Sequence, residues 1–386
     1  MKIAIITSTR AEYGLLCPLI RQLIKDEYFN VHVLVTGTHL LYKYGRTIDY
    51  IKEDNIPINY EVSIMAEDSH SIGDIIAQAI IKFDEIFRLE KYDAVLVLGD
   101  RYELYGFCIP ALLNNIPIIH LHGGEKSEGA IDERIRHSIT KLASIHFPSI
   151  AENAKRIIQM GENPKYVFPV GALGIDNILS LDYMTQPELE QDLGVVLKGK
   201  HLAIVTFHPM TLADEDEISK QVVEVFDALL VSDLYCIVTM PNSDQGGQIV
   251  FEMIKTYARQ YPHKFLFVKS LGQKRYLSLL NICDLVIGNS SSGIIEAPSF
   301  CIPTIDIGDR QKGRYAPKTV IHCNCIKEDI LKSINKARST EFKQFIKDYV
   351  NPYGDGHTAQ KISDVLKKID LRCDEIIQKR FIDMEI

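Results

Sequence analysis

The sequence predicts an α/β protein of two Rossmann-like, doubly wound parallel-sheet domains facing each other across a cleft, and three observations predict it. Short continuous apolar runs of strand length alternate with segments of helical periodicity, the pattern of a parallel sheet covered on both faces. The alternation weakens between residues 173 and 200 and then restarts, so the architecture occurs twice. At 386 residues the chain also exceeds the size at which one core stops growing. The predicted divisions are a first domain over 1–175, a second over 176–355, and a C-terminal helix over 356–386.

In order, strands are predicted at 2–7, 31–35 and 60–64, with a helix over 15–25 after the first. A helix over 73–89 follows, because Ile75, Ile76, Ala79, Ile80, Phe83, Ile86 and Phe87 recur at 3.6-residue spacing. Next come strands at 94–98 and 118–121, a helix over 131–143, a strand at 145–148, a helix over 150–160 and a strand at 167–170. Residues 182–199, with a short helix and the turn Lys198-Gly199-Lys200, read as a connection. The second half gives strands at 202–207, 235–240, 265–268, 285–288 and 304–307, with helices over 218–230, 248–260 and 273–282. A last helix over 358–368 follows the turn Asn351-Pro352-Tyr353-Gly354-Asp355-Gly356.

Composition narrows the function classes. With 46% hydrophobic and 24% charged residues the chain is globular, neither disordered nor fibrous. A formal charge of −8 offers no electrostatic attraction to nucleic acid or to an anionic membrane. The opening MKIAIITST is too short for the apolar region of a signal peptide, and no run of apolar residues is long enough for a membrane span. The 8 cysteines contain no CxxC pair and mostly lie in apolar runs, which points to reduced thiols in a cytoplasm. The first strand–turn–helix lacks GxGxxG, which argues against a nicotinamide or flavin cofactor.

The strands end in polar residues that a core would not choose, and beyond the carboxyl ends of a parallel sheet such groups converge on one crevice. The strand at 94–98 ends in Gly99-Asp100-Arg101, and that at 118–121 in His122-Gly123-Gly124-Glu125, followed by Asp132-Glu133. Asp100, Glu125, Asp132 and Glu133 are a carboxylate set suited to proton transfer, and in such a crowd at least one pKa is expected to be raised. The competing reading is ion pairing of Asp132 and Glu133 with Arg134 and Arg136 on a solvated helix. His120 and His122, two apart, would share a strand face and with His39 or His208 could approach a metal, but no HxxxH or carboxylate at ligand spacing accompanies them. No metal site is therefore expected. In the second half, Asn289-Ser290-Ser291-Ser292-Gly293 opening a helix offers backbone N–H groups and a dipole to an anion, and Arg310, Lys312 and Arg314 add charge. Together they read as a diphosphate cradle, with Glu296 placed for a ribose hydroxyl. Arg10, at the first turn, is a further phosphate candidate.

The stretches LGDR, His120-x-His122-Gly-Gly-Glu125 with its following Asp-Glu-x-x-Arg-His, the Phe207-His208-Pro209 turn, GNSSSGIIEAP, GDRQKGR and NPYGDG resemble, in order, the hydrolysing UDP-N-acetylglucosamine 2-epimerases of sialic acid biosynthesis. The resemblance implies a fold of the GT-B glycosyltransferase type with the last helix packing on the first domain. It implies that Ser290, Ser291, Arg310 and Arg10 hold the diphosphate of a UDP-sugar and Glu296 the ribose, with His208 and Asn242 near the phosphates and sugar. Asp100 and Asp132 match the catalytic carboxylates, with Glu125 and His208 in the catalytic set, and His39, Arg101 and Glu133 complete the expected substrate contacts. Many relatives carry glutamate where this chain has His122, so either His122 or Glu125 takes that proton role. The resemblance further implies no cofactor and a homodimer or homotetramer. The same chemistry on UDP-N,N'-diacetylbacillosamine or a GDP-linked analogue is the nearest alternative; a glycosyltransferase or a nucleotide-sugar sensor are others.

Overall fold

The computed structural model describes residues 1–66, 71–127, 131–209, 214–241 and 246–383. The chain forms two compact units, one of Met1–Leu179 with Tyr353–Ile386 and the other of Ser180–Pro352.

In the first unit, strands β1 (Lys2–Thr7), β2 (Asn30–Thr36), β3 (Ile58–Val62), β4 (Ala94–Leu98), β5 (Ile118–Leu121) and β6 (Ile145–Phe147) form a parallel sheet ordered β3-β2-β1-β4-β5-β6. Its central strands are buried on both faces, which is why they read as unbroken apolar runs. Successive residues enter opposite cores: Ile3, Ile5, Leu96 and Leu98 pack on one side, and Ala4, Ile6, Val95 and Val97 on the other. Strand order reverses between β1 and β4, so the crevice of this doubly wound sheet lies at the carboxyl ends of these two strands.

The second unit repeats the plan. Strands β7 (His201–Thr206), β8 (Leu234–Thr239), β9 (Phe265–Val268), β10 (Leu285–Gly288), β11 (Thr304–Ile307) and β12 (Val320–Cys323) are ordered β12-β11-β10-β7-β8-β9, all parallel, with the reversal between β7 and β10. At that reversal Gly288 has φ 134°, and a Cβ there would collide with the Thr206 carbonyl, so only glycine lets β10 turn beside β7.

The chain returns to the first unit at Tyr353. Gly171 (φ 108°) and Gly354 (φ 130°) meet, and a Cβ on Gly171 would stand 2.7 Å from Thr358 Oγ1. The helix Thr358–Leu366 then packs Ala359, Ile362 and Leu366 into the core that holds Leu16 and Leu19 of the helix Arg10–Ile24. Asp176 accepts from the Thr358 and Ala359 N–H groups at 2.9 and 2.7 Å and so caps that helix.

Three expectations need correction. Residues 167–170 form no strand; Val167 makes only an isolated bridge to His146, because the 3-10 turn Pro164–Tyr166 takes up the approach. The strand β12, with exposed His322 alternating, was not predicted. The serine turn opens a helix of a single turn, Ser292–Ile295, so the helix dipole expected to add to its N–H groups is small. Among the described residues no helix is long and apolar enough to cross a membrane.

Candidate active site

In the first unit the polar groups converge on Arg136. This residue lies in the first half of the helix Ile131–Leu142 and is 3% exposed. Its guanidinium pairs with Asp100 at the end of β4, and donates to the Glu125 carbonyl at 2.8 Å and to Ser127 Oγ at 2.9 Å. One buried cation therefore fixes the ends of β4 and β5 and the helix relative to one another. Asp132 sits one turn before Arg136, its carboxyl pushed up from the usual range by burial and then by the negative charge of Asp100, against the pull of Arg136 and Arg101. The expected perturbed carboxylate is thus Asp132. Arg136 is buried and does not lie on the solvated face of the ion-pairing reading, while the pair with Glu133 that this reading named is present, Nη1 to Oε2 at 3.6 Å.

Glu125 is buried, and its Oε1 accepts from Ser149 Oγ at 3.2 Å and lies 3.9 Å from His122 Nδ1. His122 falls just past β5 with φ 60°, so strand alternation has ended and it does not share a face with His120. The Leu173 N–H donates to His122 Nε2 at 3.3 Å, which puts the ring proton of a neutral imidazole on Nδ1, toward Glu125. His120 is fully buried between the Gly99 carbonyl (2.7 Å) and Thr140 Oγ1 (3.2 Å), and burial lowers its pKa to about 3. Both of its nitrogens are engaged, so the two histidines form no ligand pair.

Two expected substrate contacts are engaged by partners within the first unit, and one of them, His39, is wholly enclosed. His39 is fully buried, with Nε2 3.0 Å from Thr7 Oγ1 and Nδ1 2.8 Å from Thr47 Oγ1, and burial lowers its pKa to about 4. It presents no atom to a ligand. Glu133 accepts from the Ser127 N–H and faces His137 Nε2 at 3.2 Å, so it anchors the loop that carries Glu125.

Arg101 donates to the fully buried Glu103 at 2.6 Å, with its guanidinium 5.6 Å above the Tyr102 ring. Glu12, in the first turn of the helix Arg10–Ile24 that follows the neighbouring β1, is also buried, and its Oε2 accepts from Ser8 N at 2.6 Å and Ser8 Oγ at 3.0 Å. Burial first, opposed by the Ser8 hydrogen bonds, raises the Glu12 pKa to about 7, with Glu103 adding to the rise and Arg101 opposing it. Since this is above the unfolded carboxylate value, Glu12 costs no ionisation energy below about pH 4.5 and its full cost above about pH 7. Glu12→Gln should therefore gain stability relative to the parent between pH 5 and 8, by up to about 3 kcal/mol, read from urea melts at the two pH values. Arg10 itself is exposed at the start of its helix, 5.0 Å above the ring of Tyr50.

In the second unit the organiser is Asn289, 1% exposed at the end of β10. Its Oδ1 accepts from the His208 N–H at 2.7 Å, its Nδ2 donates to the His208 carbonyl at 2.9 Å, and its own carbonyl accepts from Gln311 Nε2 at 2.8 Å. The turn of His208, the serine turn and the turn of Arg310 are thereby joined, and Arg310 Nη1 donates to the Pro209 carbonyl at 3.0 Å. Ser290 and Ser291 are half-buried at the head of this turn. Glu296 is pushed up by burial and held back by a hydrogen bond with Ser292. Asn242 lies outside the described residues. Glu103 and Glu12 are absent from the predicted set, and the organising side chains of Arg136 and Asn289 were read only as a solvated ion-pair partner and as part of the serine run.

Two α/β sheets with this order, and carboxylates on one unit with a serine turn and an arginine on the other, have a family counterpart: residues 21–367 match the UDP-N-acetylglucosamine 2-epimerase family. The chain belongs to this family. It is accordingly a 2-epimerase. Among family relatives, it is 38% identical over 356 residues to polysialic acid biosynthesis protein P7 of Escherichia coli, spanning 91% of this chain and 90% of that protein. It is 37% identical over 387 residues to the GDP/UDP-N,N'-diacetylbacillosamine 2-epimerase (hydrolyzing) of Campylobacter jejuni, spanning 99% of both. The crystal structure of UDP-GlcNAc 2-epimerase from Neisseria meningitidis bound to UDP-GlcNAc superposes with a TM-score of 0.76 at 18% identity, over 96% of this chain and 100% of that one, and the epimerase fold is of the GT-B type.

Proposed function

We propose that this 2-epimerase hydrolyses UDP-N-acetylglucosamine to UDP and N-acetylmannosamine. The observation that carries this reading is the gathering of Asp100 and Asp132 around the buried Arg136, which also holds the backbone carbonyl of Glu125, in a member of this family. The C2 hydrogen of the sugar has no adjacent carbonyl, so proton abstraction alone is too slow, and UDP must leave C1. As the C1–O bond breaks with its electron pair going to the diphosphate, C1 gains oxocarbenium character and the C2 hydrogen becomes acidic. A carboxylate removes it as general base, forming 2-acetamidoglucal. Water then adds its hydroxyl to C1 and a proton returns to C2 from the opposite face. The steps require neither a metal nor a nicotinamide.

Ser290, Ser291 and Arg310 are proposed to hold the diphosphate, with His208 beside it, Glu296 on the ribose and Arg10 as a further cation. Stabilising the leaving charge in this way is worth several kcal/mol. Asp100, Glu125 and Asp132 carry the proton transfers collectively, since interacting carboxylates titrate as a set. With Nε2 held by Leu173, His122 is proposed to steer Glu125 and not itself to exchange the proton. Arg310→Ala should raise the Kd for UDP by about tenfold to a hundredfold and lower kcat as well, since the charge it meets grows as UDP leaves, measured by UDP release and calorimetry.

A second reading, the same reaction on UDP-N,N'-diacetylbacillosamine, is favoured by the identity to the Campylobacter jejuni relative along nearly the whole of both chains. Incubation with each nucleotide-sugar without acceptor separates the readings. UDP with N-acetylmannosamine supports the first, turnover of only the diacetylated sugar supports the second, and UDP release only on adding an acceptor would make the protein a transferase. Assembly as a homodimer or homotetramer, tested by light scattering, and residence in the cytoplasm complete the proposal; eight free cysteines accord with a reducing compartment.

A further inference from the structure

Beyond the helix Thr358–Leu366 the chain folds over the first unit at the C-terminal end of the helix Ile131–Leu142, whose other end carries Asp132 and Arg136. Ile376 is buried in the core, its carbonyl accepts from Ser144 Oγ at 3.1 Å, and the Ile382 N–H donates to the Gly161 carbonyl at 2.9 Å. Between these two anchors lies Lys379. Its Nζ donates to the carbonyls of Lys141 and Ala143 at 2.6 Å each and to that of Thr140 at 3.5 Å. The Thr140 and Lys141 carbonyls belong to the last turn of the helix and have no partner within it, and a cation there also meets the negative end of the helix dipole.

The ammonium is itself held. Lys379 Nζ pairs with Glu162 Oε2 at 2.7 Å, and the Glu162 side chain is 2% exposed. The same carboxylate meets Lys141 Nζ through Oε1 at 2.6 Å and His146 Nε2 on β6 through Oε2 at 2.9 Å. Burial alone would raise the Glu162 pKa, but His146, Lys379 and Lys141 outweigh it and bring it down to about 2, so the carboxylate stays charged. The end of the helix is thereby clamped to the edge of the sheet.

From that end, hydrogen bonds lead to the candidate active site. Thr140 Oγ1 lies 2.9 Å from the Arg136 carbonyl and 3.2 Å from His120 Nδ1, and His120 Nε2 lies 2.7 Å from the carbonyl of Gly99, the residue before Asp100. A helix rises about 1.5 Å per residue and behaves as a rod over three turns, so a slip at Lys141 is felt at Arg136 and Asp132 almost undiminished.

We propose that Lys379 is a positioning residue for the proton transfers of this 2-epimerase, an inference that rests on the function proposed above. By clamping the C-terminal end of the helix Ile131–Leu142, it sets the axial position at which Arg136 meets Asp100 and Asp132 meets the sugar.

The test uses the full chain and compares the parent with Lys379→Met, Lys379→Arg and Lys165→Met, the last breaking the exposed 2.6 Å pair with Glu375 on the same C-terminal segment. Since a misplacement of about 1 Å costs about a hundredfold, Lys379→Met should lower kcat tenfold to about a hundredfold while the Kd for UDP, measured by calorimetry, stays within about twofold. Lys379→Arg, which keeps a cation with several donors, should recover most of that loss, and Lys165→Met should keep the parental kcat. In an Asp100→Asn background the effect of Lys379→Met should shrink to about threefold or less, because the pair it aligns is already disabled. If Lys379→Met does not fold, Lys379→Gln, which keeps a donor amide without the charge, carries the same comparison. Parental kcat without the Lys379 charge, an equal loss in Lys165→Met, a loss that arginine does not restore, or an undiminished loss beside Asp100→Asn overturns the positioning role and leaves the proposed function standing. A parent that releases UDP from no nucleotide-sugar overturns the proposed function, and the positioning role falls with it.

Discussion

Asp100→Asn is expected to lower kcat by about a thousandfold or more while leaving the Kd for UDP within about twofold. The side chains are nearly isosteric, so Arg136 keeps an oxygen to donate to and the β4 turn keeps its shape; what is lost is the negative charge beside the reacting carbons. The substitution also has a directional signature. Asp100 is one of the charges that raise Asp132, so removing it should lower the Asp132 pKa and move the acidic limb of residual activity to lower pH. Stopped UDP-release assays across pH, with calorimetry for UDP, read both effects; a variant with parental turnover removes Asp100 from the catalytic set.

Arg136→Ala is expected to fail in both stability and chemistry. It leaves Asp100, the Glu125 carbonyl and Ser127 Oγ without the cation that joins them. Breaking a buried pair costs about 3–5 kcal/mol, and because the Asp100 side chain is 28% exposed the lower end applies. Loss of the positive charge raises Asp132 further, so the acidic limb of the kcat/KM profile should move to higher pH, opposite to Asp100→Asn. Arg136→Lys, which keeps charge but not the forked geometry, should recover the limb position while recovering little of kcat. Melting curves and pH profiles of the three proteins separate a positioning role from a merely structural one, since an inert scaffold residue would leave the limb where it is.

The parts of this molecule legible from sequence are those dictated by burial on both sides. The strands Ala94–Leu98, Ile118–Leu121, Leu285–Gly288 and Thr304–Ile307 fall where the apolar runs place them, because central strands of a parallel sheet leave no polar alternation to blur their ends. The edge strand Val320–Cys323, with exposed His322, and the helix Tyr105–Leu113, with Pro110 inside it, lack that signal and are seen only in the structure. The site divides in the same way. The strand-end motifs locate Asp100 and the serine turn, but whether a polar residue faces ligand or core depends on packing from elsewhere in the chain. His39 and Arg136 are both polar residues near strand ends; one is enclosed by Thr7 and Thr47, the other by Asp100 and the Glu125 loop. His122 shows the limit of periodicity, since one residue of positive φ after β5 ends the alternation that would have paired it with His120.

The measurement that bears most directly on the central claim is turnover of UDP-N-acetylglucosamine in deuterated water without acceptor. Elimination of UDP with loss of the C2 hydrogen, followed by hydration, predicts UDP and N-acetylmannosamine carrying one deuterium at C2, with no deuterium in recovered substrate if elimination is irreversible. N-acetylmannosamine that retains the original C2 hydrogen, or UDP accompanied by free N-acetylglucosamine, would contradict the account.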